Sequence, residues 1–359
     1  IMRVTEEKLW TILEQKARAE DERLQPDQRI SNEYLSGIRS ICKFGVDRAK
    51  TIRDTFPMYT LHDETHICNV LRIMDQLLGD CADKLERDEA AMLILAACCH
   101  DVGMSYSAQE KQEILEDKDR LDHYLEQHHD EYVKAYSENP DVPKLTDEIL
   151  RNYLRSIHHE RILELLNSVP WPDCLWGRVD RDDLVQVCQS HGENPSDLNH
   201  LKCTSTIDLR FCAVLLRLAD ILDFDITRAP KTLYQYCGFD NAEGREVKIS
   251  REEWHKHIAS QGFEFDHVAD RSVPYDLPCH ITSKSMQIEQ AAHNFLDWVD
   301  NELNQCGNLL RQYAGRWKDF VLPSKVKRIV KAIGYVSGQY HLTMDQDKVM
   351  ELLVGEELY

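Results

Sequence analysis

Residues 90–101 read AAMLILAACCHD, ten consecutive apolar residues followed by a histidine and an aspartate. The run is half as long as the roughly 20 residues that a membrane-spanning helix needs, so it predicts a helix in the core of a globular protein. An ionised carboxylate at the end of such a helix is costly unless a cation or hydrogen bonds compensate its charge. His100 and Asp101 therefore indicate a charged site inside the core, although a plain helix end with a paired carboxylate would give the same local sequence.

The overall composition is that of a globular protein with a strong negative charge. The 359 residues are 42% hydrophobic and 30% charged, and the formal net charge is −20. Such a field repels polyanions, which disfavours a protein that coats duplex DNA. A local basic groove that takes a nucleotide or a nucleic-acid end is still compatible with this charge.

The cysteines and the N-terminus predict a cytoplasmic protein without membrane contact. Several of the twelve cysteines, such as Cys98, Cys99 and Cys212, lie in apolar or amphipathic runs, as free cysteines of a reducing compartment do. The sequence has no CxxC pair, which disfavours a zinc site made of cysteines. The first residues contain no apolar signal-peptide region.

Apolar residues recur at the helical period of three and four along most of the chain. This period, together with Gly79 as a stop signal and Thr146 as an N-cap, predicts the helices. A strongly charged segment, residues 105–138, is expected to be a solvated helical excursion. The other predicted helices comprise two within residues 4–50 and one each over 67–78, 88–99, 146–165, 182–190, 208–223 and 285–314.

The pattern changes after Asp240, where short segments of alternating polarity predict a small β element inserted in the helical body. Predicted strands cover residues 246–250, 262–265 and 278–281, with a further strand near Tyr340. We interpret the basic segment 325–331 as a helix face or a domain contact rather than as a nucleic-acid site.

Six histidine and aspartate side chains occupy the buried faces or ends of different predicted helices. They are His66, His100, Asp101, His158, His191 and Asp220. Neutral imidazole and carboxylate groups together suit divalent transition metals, and a carboxylate can bridge two of them. The six residues therefore predict a metal site.

Other histidines compete for the same roles. His159 is a rival of His158, although the apolar stripe of the helix favours His158. The pair His128–His129 could replace either of the later histidines, but it lies in a very charged segment. His191 could interact only with the dipole of its own helix.

Arginines that share helices with the proposed ligands could hold a phosphate through forked hydrogen bonds. They are Arg155, Arg161 and Arg217. Each could instead pair with one of the many acidic residues, and Asp220 could likewise form an internal salt bridge with Arg217 or Arg228. We assign Arg155 to catalysis, and Arg161, Arg217 and His159 to substrate binding.

Two further residues are placed near the predicted metal site. His62, one turn before His66, could donate a proton or orient the substrate, or it could be a simple loop histidine. We assign it to catalysis together with Asp101. Asp223, one turn after Asp220, could orient a ligand histidine.

The order His, His-Asp, His, Asp resembles that of the HD superfamily of metal-dependent phosphohydrolases. The matching segments are His66-Ile67-Cys68-Asn69-Val70, Cys99-His100-Asp101-Val102-Gly103 and Leu218-Ala219-Asp220-Ile221-Leu222, within residues 58–225. His158 and His191 resemble the extended pattern of two-metal members such as HD-GYP phosphodiesterases and CRISPR-associated HD nucleases. The resemblance implies a mainly α fold, an HD-type helical bundle with a small inserted β element in the C-terminal part.

The resemblance also implies a domain division and a mechanism. Residues 1–57 would pack on the core, 58–238 would form the HD domain, and 239–359 would form an accessory region. His66, His100, Asp101 and Asp220 would hold a first divalent ion, and Asp101 would bridge to a second, completed by His158 and His191. Two ions per chain (Mn, Fe, Ni, Zn or Mg) would activate a hydroxide that hydrolyses a phosphate ester of a nucleotide or nucleic acid.

A narrower resemblance concerns residues 52–66, 155–161 and 187–192. These segments look like bacterial HD proteins that are fused to a GHKL-type, chaperone-like ATPase and are associated with anti-phage defence. Residues 350–359 resemble the segment leading into that ATPase. The resemblance implies a fused or partner ATPase, with oligomers allowed. It also gives an alternative function, a nucleotide-sensing regulatory HD module that controls the ATPase or a partner; a scaffold with a purely structural metal is a third hypothesis.

Overall fold

The computed structural model describes residues 3–139, 143–239, 245–265, 273–312 and 315–337. These residues form a mainly α-helical body with a small three-stranded sheet in the C-terminal part, which confirms the predicted fold class. The helices are α1 (Lys8–Asp21), α2 (Ser31–Thr55), α3 (Glu64–Leu78), α4 (Arg87–Cys99), α5 (Ala108–Glu116), α6 (Lys118–Gln127), α7 (His129–Ala135), α8 (Asp147–Asn167), α9 (Arg181–Gln189), α10 (Leu209–Leu222), α11 (Lys231–Cys237), α12 (Arg245–Ala259) and α13 (Met286–Arg311).

Helix α4 is the centre of the core. Its apolar run is buried on every side, because α1, α2, α3, α9 and α10 all pack around it. The contact with α2 is close: a Cβ atom added to Gly45 would lie 2.2 Å from the carbonyl oxygen of Cys98. Truncation of a buried leucine here, such as Leu93→Ala, is expected to lower the free energy of unfolding by about 2–5 kcal/mol. This packing fixes the position of His100, which is the C-cap of the helix.

The charged segment 105–138 folds into the short helices α5, α6 and α7. Many of its residues are exposed, as predicted. Leu121 and Leu125 nevertheless form a small core of their own with Tyr153 and other residues of α8. Helix α8 begins at the predicted N-cap, where the Thr146 hydroxyl accepts a hydrogen bond from a backbone N–H of the first turn.

Helix α12 contradicts one predicted strand. The alternating polarity of residues 246–250 predicts extended backbone, but these residues are helical. Ser250, Trp254 and His257, spaced by four and then three, are buried. The helical period of the whole segment therefore outweighs a short alternation at its start.

The sheet consists of β1 (Ser260–Phe263), β2 (Asp276–Ser283) and β3 (Lys325–Ala332), in that order. Strands β1 and β2 are antiparallel and overlap the predicted strands 262–265 and 278–281. Strands β2 and β3 run parallel, so the basic segment 325–331 is a strand and not a helix face. Charged and apolar residues alternate along only part of this strand, so its sequence does not show the regular period of two that indicates a strand. The predicted strand near Tyr340 lies outside the described residues.

One hydrophobic core connects the N-terminal helices with the C-terminal part, since Val4 and Val326 both belong to it. The buried carboxylate of Glu89 in α4 accepts hydrogen bonds from the backbone N–H of Asp208 and the indole N–H of Trp317. The division at residues 57 and 238 stays a prediction.

Helix length and hydropathy bear on membrane contact. Within the described ranges, no single helix is both long and apolar enough to cross a membrane. The pair Arg87–Met104 and Ala108–Glu116, bent by 66°, passes by length and composition alone. The first member of the pair contains α4, whose apolar residues are buried in the core.

Candidate metal centre

Three helices bring one group of ligand atoms together at the end of α4. His66 lies in the first turn of α3, His100 caps α4, and Asp220 lies in the last turn of α10. The Nε2 atoms of His66 and His100 are 3.2 Å apart. Oδ1 of Asp220 lies 3.2 Å from Nε2 of His66 and 3.8 Å from Nε2 of His100. These three residues, the inner cluster, could hold one metal ion.

A second group, the outer cluster, consists of Asp101, His158 and His191. His158 lies within α8, and His191 lies in the short 3₁₀ segment Ser190–Gly192 that follows α9. Their Nε2 atoms are 2.8 Å apart. Oδ1 of Asp101 lies 3.9 Å from Nε2 of His158 and 3.7 Å from Nε2 of His191. This arrangement could hold a second ion.

Asp101 connects the two clusters. While Oδ1 faces the outer cluster, Oδ2 lies 3.3 Å from Nε2 of His100 and 3.7 Å from Nε2 of His66. A carboxylate with one oxygen directed at each of two sites can bridge two metals. The structure thus brings all six predicted ligands into one site, in the two groups that the resemblance implies.

The second ring nitrogen of each histidine has an acceptor that fixes the orientation of the ring. Nδ1–H of His66 donates to Oδ2 of Asp223 at 2.7 Å. In His100, His158 and His191, Nδ1–H donates to the backbone carbonyl oxygen three residues earlier, at 3.0, 2.6 and 2.5 Å. Each Nε2 is therefore the nitrogen that faces the clusters. Converging imidazole nitrogens and carboxylates at these distances fit divalent transition metals.

Asp223 supports the inner cluster from behind. Its buried carboxylate accepts a hydrogen bond from Nδ2 of Asn69 at 2.9 Å and lies 3.3 Å from Nη1 of Arg228. Nη2 of Arg228 in turn donates to Nε2 of His62 at 2.9 Å. Asp223 is therefore positioned to orient the ring of His66.

The two clusters differ in the protons they hold. Burial alone would lower the pKa of His100, but the Asp101 and Asp220 carboxylates outweigh burial and raise this pKa to about 9. In the outer cluster, burial and the neighbouring imidazole lower the pKa of His158 to about 4, and burial also lowers the pKa of His191. Burial would raise the pKa values of Asp101 and Asp220, but the adjacent histidines hold both below the usual range. At neutral pH the inner cluster carries a proton on His100, whereas the outer histidines are neutral.

Both clusters open into one pocket of about 700 Å³. This volume is within the range of roughly 300–1,000 Å³ that small-molecule sites occupy. The walls come from α7 and α8, from α12 and α13, and from the loop before α3. Important wall residues are Lys134, Arg155, Ile249, Phe295 and Trp298.

Arg155 lines the pocket, as its predicted role requires. Its guanidinium lies over the ring of Tyr59, 5.5 Å from the centroid. Among the described residues, no carboxylate forms an ion pair with it. Its forked N–H donors are therefore available to a ligand.

His62 also lines the pocket, but its hydrogen bonds do not support the predicted proton donation. Nδ1–H donates to the carbonyl oxygen of Thr60 at 2.6 Å, and Nε2 accepts the hydrogen bond of Arg228. Burial and the charge of Arg228 lower the pKa of His62 to about 3. The ring is neutral at neutral pH with both nitrogens engaged, so its role in the structure is to hold Arg228.

Arg161 does not line the pocket, which corrects its assignment to substrate binding. The buried guanidinium donates to the carbonyl oxygens of Gly103 and Ser105 and lies 3.4 Å from Glu110. These carbonyl groups follow Asp101 in the chain, so Arg161 holds the backbone next to Asp101 in place.

Arg217 is likewise buried and is not among the described residues that line the pocket. It pairs with Glu302 through hydrogen bonds of 2.6 and 2.9 Å and donates to the carbonyl oxygens of Ser190, His191 and Glu193. Arg217 therefore makes structural contacts that hold the segment carrying His191, and not the predicted contact with substrate.

The competing histidines are also placed by the structure. The ring of His159 packs against Gly192, where an added Cβ atom would lie 2.5 Å from Cγ of His159. His159 is not among the described pocket-lining residues, so its predicted contact with substrate is not supported. His128 and His129 do line the pocket wall, but they belong to neither cluster.

Arg228 is one of the site residues whose role sequence reasoning missed, since it appeared there only as a salt-bridge partner of Asp220. It lines the pocket and contacts His62 and His66, which are more than 160 residues away in the chain. Its sequence neighbourhood carries no motif, so no local signal points to these contacts.

The helical fold and the two His/Asp clusters agree with an HD-type domain, which the family match supports. The sequence profile of the HD-CE family matches residues 56–305, and the chain belongs to this family. HD domains usually bind divalent metals, and both clusters agree with that property. Comparisons with curated proteins and with solved structures find no match.

Proposed function

We propose that this protein is a metal-dependent phosphohydrolase that cleaves a phosphomonoester, phosphoanhydride or phosphodiester bond of a nucleotide or a nucleic-acid end. The observation that carries the proposal is the position of Asp101, whose two oxygens face the inner and the outer cluster at the lining of one pocket. Membership in the HD-CE family supports a hydrolase of the HD kind.

The two clusters provide the ligands that two divalent ions require. His66, His100 and Asp220 would hold one ion, His158 and His191 the other, and Asp101 would contact both. When bound, such ions polarise a phosphoryl oxygen and lower the pKa of a water molecule. The protein orients the ligands through the Nδ1 acceptors, and loss of such an acceptor typically reduces metal affinity or activity by about 10–100-fold.

Cationic side chains on the pocket wall suit a phosphate-bearing substrate. Arg155 forms no ion pair among the described residues, and Lys134 lies 3.6 Å from Glu148 in a partly exposed pair that costs little to break. The net charge of −20 opposes a long polyanion at a distance. These features favour a nucleotide or a single-stranded end over a duplex.

The proposal is tested by turnover and metal content together. Purified protein with Mn²⁺ is expected to hydrolyse at least one of ATP, the dNTPs, cyclic nucleotides and single-stranded DNA. His100→Ala is expected to reduce this activity by more than about 100-fold, because it removes a ligand rather than the support of a ligand. His200→Ala is the matched control, since His200 is exposed and bonds only the nearby Asp197 carbonyl oxygen among its described contacts.

Turnover on none of these compounds by metal-loaded wild-type protein would contradict the proposal. Equal activity in the His100→Ala variant would show that the hydrolysis comes from another site or a contaminant.

We also propose that the protein acts in the cytoplasm together with a GHKL-type ATPase, fused or separate, in anti-phage defence. The support is the resemblance of residues 155–161 and 187–192 to bacterial proteins of that architecture. Co-purification of the full-length native protein from its host would test the ATPase association, and phage challenge of a deletion strain would test the defence role.

A further inference from the structure

One part of the pocket wall is apolar and aromatic. Trp298 of α13 is 44% exposed and Ile249 of α12 is 51% exposed, and both line the pocket. Large apolar side chains that line a pocket and are exposed to solvent offer apolar surface that a ligand can cover. We call Phe295 and Trp298, whose rings are in contact, the aromatic platform; Ile249 lines the same pocket.

The aromatic platform is attached to the metal centre through stacked rings. Phe295 stacks on Phe224 with ring centroids 4.1 Å apart, and Trp298 meets Phe295 edge-on at 5.6 Å. Phe224 directly follows Asp223, the carboxylate that holds His66. The platform therefore has a fixed position relative to the inner cluster.

The platform is also limited in extent. Most other lining residues are polar or charged, including Asn152, Ser250 and Glu253, and the cations Lys134 and Arg155 lie on the part of the wall built by α7 and α8. A long acyl chain would have to lie against these polar groups. A flat ring system covers the platform alone, and its polar edges can bond to the neighbouring amide, hydroxyl and carboxylate groups.

We propose that the aromatic platform binds the base of a nucleoside phosphate while the phosphates face the His/Asp clusters and Arg155. This inference rests on the proposed phosphohydrolase function and names its substrate class: base-carrying phosphates are selected over phosphates that lack a base. Trp298 is the specificity-determining residue, because it offers the largest exposed ring of the platform.

The test compares ATP and GTP with inorganic tripolyphosphate, which has the phosphates but no base. In Trp298→Ala, kcat/KM for the better nucleotide is expected to fall by about 5- to 150-fold, the range for loss of one base–aromatic stack, mainly through KM. Hydrolysis of tripolyphosphate is expected to stay within about twofold. Trp298→Phe should restore most of the nucleotide activity. Trp176→Ala is the matched control, since Trp176 is 50% exposed and outside the described pocket lining.

An equal change for nucleotide and tripolyphosphate, or no change for either, would overturn the inference. Circular dichroism and a thermal melt of each variant separate unfolding from loss of the stack. If the wild type hydrolyses no compound, the proposed function fails, and calorimetric binding of ATP and tripolyphosphate decides the inference alone. Weaker ATP binding in Trp298→Ala with unchanged tripolyphosphate binding then supports the platform, and equal ATP binding in both proteins overturns it.

Discussion

The inner and outer clusters contain similar ligands but are supported differently. His66 of the inner cluster is held by the charged group Asp223, which in turn contacts Arg228. Among the described contacts, Nδ1–H of His158 and of His191 in the outer cluster donates only to a backbone carbonyl oxygen three residues earlier, as Nδ1–H of His100 does. The inner cluster contains the carboxylate of Asp220 and also faces that of Asp101. The difference predicts that the inner cluster binds its ion more tightly and that the outer ion exchanges more readily.

The largest expected effect comes from the residue that the clusters share. Asp101→Asn removes a negative charge from both sites, so the protein should lose both ions. Its activity should fall by more than about 100-fold, a larger loss than removal of a residue that only orients a ligand would cause. Elemental analysis after gel filtration measures the ions. Asp27→Asn, a change of an exposed aspartate in the α1–α2 connection, is the matched control. Retention of two ions in Asp101→Asn would show that the clusters are independent.

A change in the outer cluster should separate the two sites. His158→Ala is expected to reduce the bound metal from two equivalents to one, while the corresponding change His66→Ala also leaves the buried Asp223 without its imidazole partner. Differential scanning calorimetry should therefore show a lower Tm for His66→Ala than for His158→Ala. The opposite order of Tm values would show that the support of the inner cluster contributes nothing to stability.

The support of His66 can be removed without touching a ligand. Asp223→Asn keeps the shape of the side chain but weakens the acceptor of Nδ1–H, so affinity at the inner cluster should fall by about 10–100-fold. Affinity at the outer cluster should stay unchanged, because Asp223 makes no described contact there. Calorimetric titration with Mn²⁺ resolves the two sites, and an equal loss at both would contradict the separation.

The pH dependence should also differ between the clusters. The pKa of His100 is raised to about 9, so below this pH a metal ion must displace one proton from the inner cluster. Affinity there should rise about tenfold per pH unit from pH 6 to 8. His158, with its pKa lowered to about 4, is already neutral in this range, so the outer affinity should change little. Parallel pH profiles for the two sites would contradict this account.

Three of the six cluster residues could be predicted from sequence because each lies beside a strong local signal. His100 and Asp101 follow a run of ten apolar residues, and Asp220 interrupts another apolar run, so the sequence pattern indicates that these residues lie at the core. The arginines gave no comparable signal. Arg217 finds its partner Glu302 at a separation of 85 residues, and only the packing of α10 against α13 brings them together.

The C-terminal part was harder to predict for a different physical reason. Short segments of alternating polarity suit both a strand and the start of a helix, and the decision depends on what the rest of the segment buries. Residues 246–250 belong to a helix because the helical period of α12 buries Trp254. Residues 325–331 form a strand because they pair with β2, although the segment is basic and its polar and apolar residues alternate only in part.

The central claim is that Asp101 is shared by two metal sites. Electron paramagnetic resonance of the protein with two equivalents of Mn²⁺ tests it most directly, since ions that share a carboxylate are magnetically coupled. The account predicts a coupled two-manganese spectrum in the wild type that is lost in Asp101→Asn. A spectrum of isolated Mn²⁺ ions in the wild type, or a coupled spectrum that persists in Asp101→Asn, would contradict it.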